Sequence, residues 1–215
     1  MEKRQEMRLR IGLMLLGILL IGLCVSFFRL AGFGVDAFTG MNLGISGFIG
    51  WTFGTWQLTA NIVILVVVFF TVRYCIGAGT IINMVFVGYI ADFICWLVLD
   101  ALKVDMTLPL RIVSLLLALP MASLGVALYM KANMGISPYD SVALIIENLT
   151  KGKIPFAVAR VVSDVTVLVI GVIFCAAAGN SIWTVVGIGT VCNALFNGPV
   201  IKFFRKQIDK IWPEL

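Results

Sequence analysis

Apolar residues run along this chain in six continuous blocks, at about 11–31, 58–75, 79–99, 110–130, 158–177 and 183–203. Each reaches or approaches the roughly 20 residues that a helix needs to cross a bilayer core of about 30 Å. No hydrophilic stretch is long enough for a soluble domain. The expected fold class is an all-α polytopic membrane protein, one membrane domain over 1–215. The first block follows Lys3, Arg4, Arg8 and Arg10, the placing of a signal peptide. It is too long for the usual h-region and lacks a small-residue cleavage site, so it reads as a retained first span.

Two intervals interrupt the blocks, at 34–56 and 133–153. One opens with Gly34-Val35-Asp36-Ala37-Phe38-Thr39, the other with Gly135-Ile136-Ser137-Pro138-Tyr139-Asp140. In the second, Ser137 suits a cap, Pro138 the first helical position and Asp140 a capping-box acid. The apolar run then ends near Ile146, before Glu147 and Asn148. About 12 helical residues rise roughly 18 Å, too little to cross. The pattern therefore predicts six full spans plus two short half-helices, with eight spans and parallel repeats as the alternative. Charge does not choose between them. With the N-terminus inside, six spans place Arg29, Lys103 and Arg111 outside, and eight place Arg29, Arg73 and Lys131 there. Either way thirteen of the sixteen basic residues stay inside.

A second periodicity lies above the first. Gly77, Gly79, Thr80, Asn83, Phe86, Gly88 and Phe93 recur at one fixed offset as Gly187, Gly189, Thr190, Asn193, Phe196, Gly198 and Phe203. Each half thus reads span, glycine motif, short helix, span, G-x-G-T span. Repeat 1 covers about 11–99, the polar linker 100–109, repeat 2 about 110–204, and a basic tail 205–215. Three full spans per half would invert the second copy. Paired repeats in a membrane protein point first to a transporter with its site between them.

Composition adds little to that picture. The chain is 61% hydrophobic and 13% charged, which excludes a soluble protein. Its net charge of +5 does not call for nucleic acid, because Lys202, Arg205, Lys206 and Lys210 follow the last block, as the positive-inside rule asks of a cytoplasmic end. Cys24, Cys75, Cys95, Cys175 and Cys192 sit in apolar segments with no close pair, a packing pattern and not a metal site. Histidine is absent, which removes the commonest proton shuttle and metal ligand. No cofactor is expected.

Ionisable groups inside a membrane are costly and so are functional candidates. Arg160 and Asp164 are four apart in an apolar helix, share a face and can pair. Asn61 holds a comparable place in the first half. Asp36 and Asp140 open the short helices, where free N–H groups and a positive dipole end suit an anionic group. Tyr139 adjoins Asp140, and Asn83 and Asn193 are single polar amides at matched places, suited to interhelical bonds. The candidate solute-binding set is therefore Asp36, Asn61, Asn83, Tyr139, Asp140, Arg160, Asp164 and Asn193. Asp92 in the fourth block could relay a proton, face a cavity or lie near the interface. Gly40, Gly44, Gly50 and Gly54 form small-residue spacings for close packing, and Trp51, Trp56 and Trp183 read as interfacial anchors.

The motif Gly135-Ile136-Ser137-Pro138-Tyr139-Asp140 with the later Gly187-Ile188-Gly189-Thr190 resembles the bacterial YczE/YitT family of membrane proteins. Gly77-Ala78-Gly79-Thr80 carries the resemblance into the first half, which departs from it at Asp36-Ala37-Phe38-Thr39. The family is largely uncharacterised, so the resemblance implies a bacterial inner-membrane location and no specific activity. The leading expectation is a small secondary transporter with both termini cytoplasmic, binding a small-molecule solute and surrounded by membrane lipids. The alternative is a substrate-binding or accessory subunit of a larger complex. A homo-oligomer or a partner membrane protein fits either. An enzyme is not expected: the G-x-G motifs end in Thr80 and Thr190, not in the aspartate of an intramembrane protease.

Overall fold

A computed structural model describes residues 2–213, all helical apart from turns and links. Eight helices follow in order: α1 (Glu2–Ala31), α2 (Ala37–Ile49), α3 (Phe53–Thr71), α4 (Ala78–Trp96), α5 (Leu108–Ala132), α6 (Ser141–Leu149), α7 (Phe156–Ala177) and α8 (Ile188–Ile211). Six segments are long and apolar enough to cross a membrane: Arg4–Ala31, Phe53–Thr71, Ala78–Ala101, Leu108–Ala132, Val158–Ala177 and Ile182–Ile211. At 13 and 9 residues, α2 and α6 are too short to do so.

Local chemistry sets the breaks. Asp36 caps α2 by accepting from Thr39 N (3.0 Å), and Gly50 ends it in the left-handed region at φ 73°. Thr52 caps α3 through Thr55 N. Asn133 ends α5 at φ 51°. Gly77 and Gly187 start α4 and α8, each with its N–H held by the threonine three residues on, at 3.0 and 3.2 Å. The short helix α6 starts later than the sequence suggests. Residues 138–140 form a turn, and Asp140 makes no side-chain cap because its carboxylate is engaged elsewhere.

The core lies among α1, α4, α5 and α8. Leu13, Met14, Ile18, Val87, Ala91, Ala127, Leu128 and Ile208 meet there. Helices α1 and α5 are antiparallel. Arg10 reaches the Ala132 carbonyl (3.3 Å), Gly17 backs onto Gly125, and Gly32 lies beside Arg111. That direction fits α5 as the fourth crossing, the six-span count; as the fifth of eight it would run parallel to α1. Helix α4 runs alongside α1, from Met14 at Gly79 to the Ser26 carbonyl at Cys95. Helix α8 runs alongside α5, from Leu115 at Gly189 to Lys131 at Asp209.

The two glycine motifs are bound crosswise. Gly189 N donates to the Phe33 carbonyl (2.7 Å), and Gly79 N donates to the Met134 carbonyl (2.8 Å). Val35 N donates to the Val185 carbonyl (3.2 Å), and Ile136 N to the Cys75 carbonyl (2.9 Å). Each glycine motif of one half therefore rests on the G-x-G-T segment of the other. Gly34 and Gly135 are indispensable in this lock. Both have positive φ, 89° and 113°, and both face backbone where a β-carbon would stand. The recurrent phenylalanines face outward instead: Phe86, Phe93, Phe196 and Phe203 are all exposed. In a membrane such an apolar surface meets lipid.

Candidate functional site

The lock at Gly135 delivers the next residues to α7. Arg160 donates through one terminal nitrogen to Asp140 Oδ1 (2.7 Å) and through Nε to Asp164 Oδ2 (3.2 Å). Tyr139 donates its hydroxyl to Asp164 Oδ1 (2.5 Å). Ser137 Oγ donates to Asp140 Oδ2 (2.6 Å) and accepts from Asp140 N (3.2 Å). The guanidinium also lies 5.0 Å from the Tyr139 ring centre, within cation–π range. The planar fork of Arg160 thus ties the turn before α6 to the N-terminal half of α7, a geometry that a lysine could not copy.

The first half enters this cluster through Phe38. Its ring stacks on Tyr139 at 4.3 Å with 13° between planes. Phe38 and Tyr139 hold the same place after their respective glycines, Gly34 and Gly135. Asp36 lies two residues before Phe38 and caps α2. Burial pushes its carboxyl upward, against the Thr39 hydrogen bonds that pull it down. Burial, together with the hydrogen bond to the Asp164 carboxylate, pushes the Tyr139 hydroxyl far above its ordinary range. In this pair Tyr139 is the donor and Asp164 the acceptor. The side chains stay accessible: Arg160 is 34%, Asp164 37% and Asp140 50% exposed. These groups can meet a ligand without unfolding anything.

The structure joins Tyr139, Asp140, Arg160 and Asp164 by hydrogen bonds and brings the Asp36–Phe38 turn against them through the stacked rings. It does not join the asparagines to them by any such bond. Asn61 and Asn83 are buried on α3 and α4, and Asn193 is half-buried on α8. Three residues of interest lie outside the expected set. Ser137 and Phe38 complete the cluster, and both stand in the glycine motifs. Gln57 is the third. Aligning Phe53 with Phe156 sets Gln57 against Arg160 and Asn61 against Asp164, so one half carries amides where the other carries charges. Gln57 is buried, and its Oε1 has no hydrogen-bond partner among the described residues.

Asp92 belongs to a different arrangement. Arg29 donates to its Oδ1 (2.8 Å), Gly54 N donates to its Oδ2 (2.6 Å), and the guanidinium lies 4.6 Å from the Phe53 ring centre. This pair ties α1, α3 and α4 together and is more enclosed, at 18% and 22% exposure. Trp51 and Trp183 are exposed, and Trp56 is half-buried with its ring edge-on to Trp51. The Trp56 Nε1 is buried and unpartnered among the described residues. The five cysteines are free, four of them buried.

Helix count, crosswise glycine lock and outward phenylalanines together define a multi-pass, all-α membrane protein. The chain belongs to a family of unknown function, DUF6198, whose model matches residues 8–206. It is similar to the uncharacterized protein YyaS of Bacillus subtilis (strain 168), 26% identical over 91% of this chain and 92% of the relative. It is also similar to the uncharacterized membrane protein YczE of the same organism, 24% identical over 95% of this chain and 89% of the relative. No solved structure matches.

Proposed function

We propose that this protein is a small secondary transporter of a bacterial plasma membrane, not an enzyme, that binds a small solute between two inverted repeats at about 11–99 and 110–204. The observation that carries the reading is the accessible Arg160 cluster beside the break between α5 and α6, reached from the other half by Phe38. Transporter sites are built where helices are discontinuous and repeats meet. The matched crosswise hydrogen bonds support the repeat, and the antiparallel α1 and α5 support its inversion. Both termini are cytoplasmic in this reading, which puts Arg73 inside and Lys103 outside.

The test begins with purified protein reconstituted alone. Solutes that raise its thermal midpoint are identified, then followed for uptake into vesicles. Arg160→Lys keeps the charge and loses the fork, and should abolish both solute stabilisation and uptake while leaving expression intact. Asp140→Asn should weaken both. If uptake by the lone protein is nil and a membrane partner co-purifies, the accessory-subunit reading replaces this one. One observation favours that second reading. Helix α8 buries little of itself against its own chain, and a β-carbon at Gly198 would meet nothing within 4 Å.

A further inference from the structure

The last third of α8 carries a different chemistry from the rest of the helix. Lys202, Arg205, Lys206, Asp209 and Lys210 line an open cavity of about 480 Å³. A second cavity of about 220 Å³ adjoins it, sharing Arg205 and Asp209 and reaching Lys131 and Asn133 at the end of α5. The one carboxylate in this set is already taken: Lys131 Nζ donates to Asp209 Oδ1 at 2.8 Å. Lys202, Arg205, Lys206 and Lys210 form no ion pair among the described residues. Four cations therefore line a groove whose one carboxylate, Asp209, is already hydrogen-bonded to Lys131.

Helix length fixes the depth of this groove. The 24 residues of α8 rise about 36 Å, more than the roughly 30 Å hydrocarbon core. Its charged end must stand at headgroup level. Phe203 and Ile211 are exposed beside the basic residues, where acyl chains begin. We propose that this groove binds the phosphate of an anionic phospholipid, with Arg205 as the planar fork and Lys202, Lys206 and Lys210 as point charges around it. Charge complementarity selects the headgroup, and the apolar flank selects a lipid over a free anion.

The probe is dioleoyl phosphatidylglycerol, added to the full chain in neutral detergent and read by lipid-bound mass and by thermal midpoint, with dioleoyl phosphatidylcholine as reference. Phosphatidylglycerol should be retained and should raise the midpoint; phosphatidylcholine should do neither. Replacing both Arg205 and Lys206 by Gln should weaken retention roughly 30-fold, at about fivefold per basic residue. Replacing both Lys151 and Lys153 by Gln, an equal loss of charge in the α6–α7 loop, should leave it unchanged. Equal losses in the two double variants would reduce the effect to net charge and overturn the site. Inorganic phosphate reproducing the midpoint shift would overturn the lipid assignment. If the Arg205 and Lys206 variant does not fold, the Lys202→Gln, Lys210→Gln pair takes its place, and undiminished retention there refutes the groove.

Discussion

The two halves solve the same packing problem with different side chains. On α3, Gln57 and Asn61 stand one turn apart and are buried; on α7, Arg160 and Asp164 stand at the aligned positions and are open. The first half also closes α3 onto α4, through Gly54 against Gly88 and through Asp92 on the Gly54 N–H. Among the described residues the second half has no comparable seam between α7 and α8. Its polar residues instead turn toward α6 and the Phe38–Tyr139 stack. At these aligned positions the tightly packed half carries neutral amides and the open half carries ions, while the ion pair of the first half, Arg29 with Asp92, is enclosed in its seam. An ionisable group inside a membrane is costly unless it is paired or wetted, and Arg160 has both Asp140 and Asp164 as partners.

The feature the halves share should be the most fragile. Gly34→Ala and Gly135→Ala each place a β-carbon on a positive-φ residue and into the opposing backbone. At Gly34 it would stand 2.9 Å from the Val186 carbonyl carbon, and at Gly135 2.7 Å from Gly77 N. Conformational strain and overlap together should cost about 3 kcal/mol or more in each variant. Thermal unfolding in detergent, or loss of the monodisperse species, measures it. Tolerance of one substitution and not the other would show that the crosswise locks are not equivalent.

The two ion-pair clusters should separate next. Asp92→Asn leaves the enclosed Arg29 without its carboxylate and weakens the tie to Gly54 N, a loss of about 2–3 kcal/mol. Asp164→Asn acts on a group 37% exposed, and Arg160 keeps Asp140, so stability should fall by less than about 1 kcal/mol. Solute-dependent stabilisation should show the reverse order, lost in Asp164→Asn and kept in Asp92→Asn. Equal unfolding midpoints for the two variants would erase the distinction between a structural pair and an open one.

The sequence shows some of this plainly and hides the rest for physical reasons. The six spans follow from block length, because a bilayer demands a continuous apolar run. Arg160 and Asp164 are legible because a helix brings residues four apart together. Asp140 is legible as a polar helix start but not as the partner of Arg160. Its local context, Ser137-Pro138, reads as a cap, and the choice of Arg160 over a cap is made by tertiary packing. Arg29 with Asp92 is hidden because the partners lie 63 positions apart on helices whose neighbours the sequence does not name. The repeat announces that the G-x-G-T segments are equivalent. It does not reveal that each binds the other half's glycine motif, since those hydrogen bonds pair segments from opposite halves of the chain. That the Trp56 Nε1 turns inward is hidden too, because the sequence does not show which face of α3 meets its neighbours.

The smallest expected effect is the sharpest test of the open seam. Gly88 and Gly198 are equivalent in the repeat, yet a β-carbon at Gly88 would stand 2.7 Å from Gly54 Cα and 2.9 Å from Gln57 Oε1, while at Gly198 it would meet nothing. Gly88→Ala must push α3 away from α4 and should cost about 1–3 kcal/mol. Gly198→Ala meets no such obstacle and replaces the residue with most backbone freedom inside a helix. It should be neutral or stabilise by about 0.5–1 kcal/mol. Thermal midpoints of the two variants in the same detergent compare them directly. If the isolated protein behaves this way but Gly198→Ala destabilises the protein in native membranes, a neighbouring helix must cover α8 there. That neighbour would be a second copy or a partner, and the case for an accessory subunit would then rest on the same glycine. If Gly198→Ala is costly even in detergent, then α7 closes onto α8 within one chain. The contrast between a shut first half and an open second half would then fail.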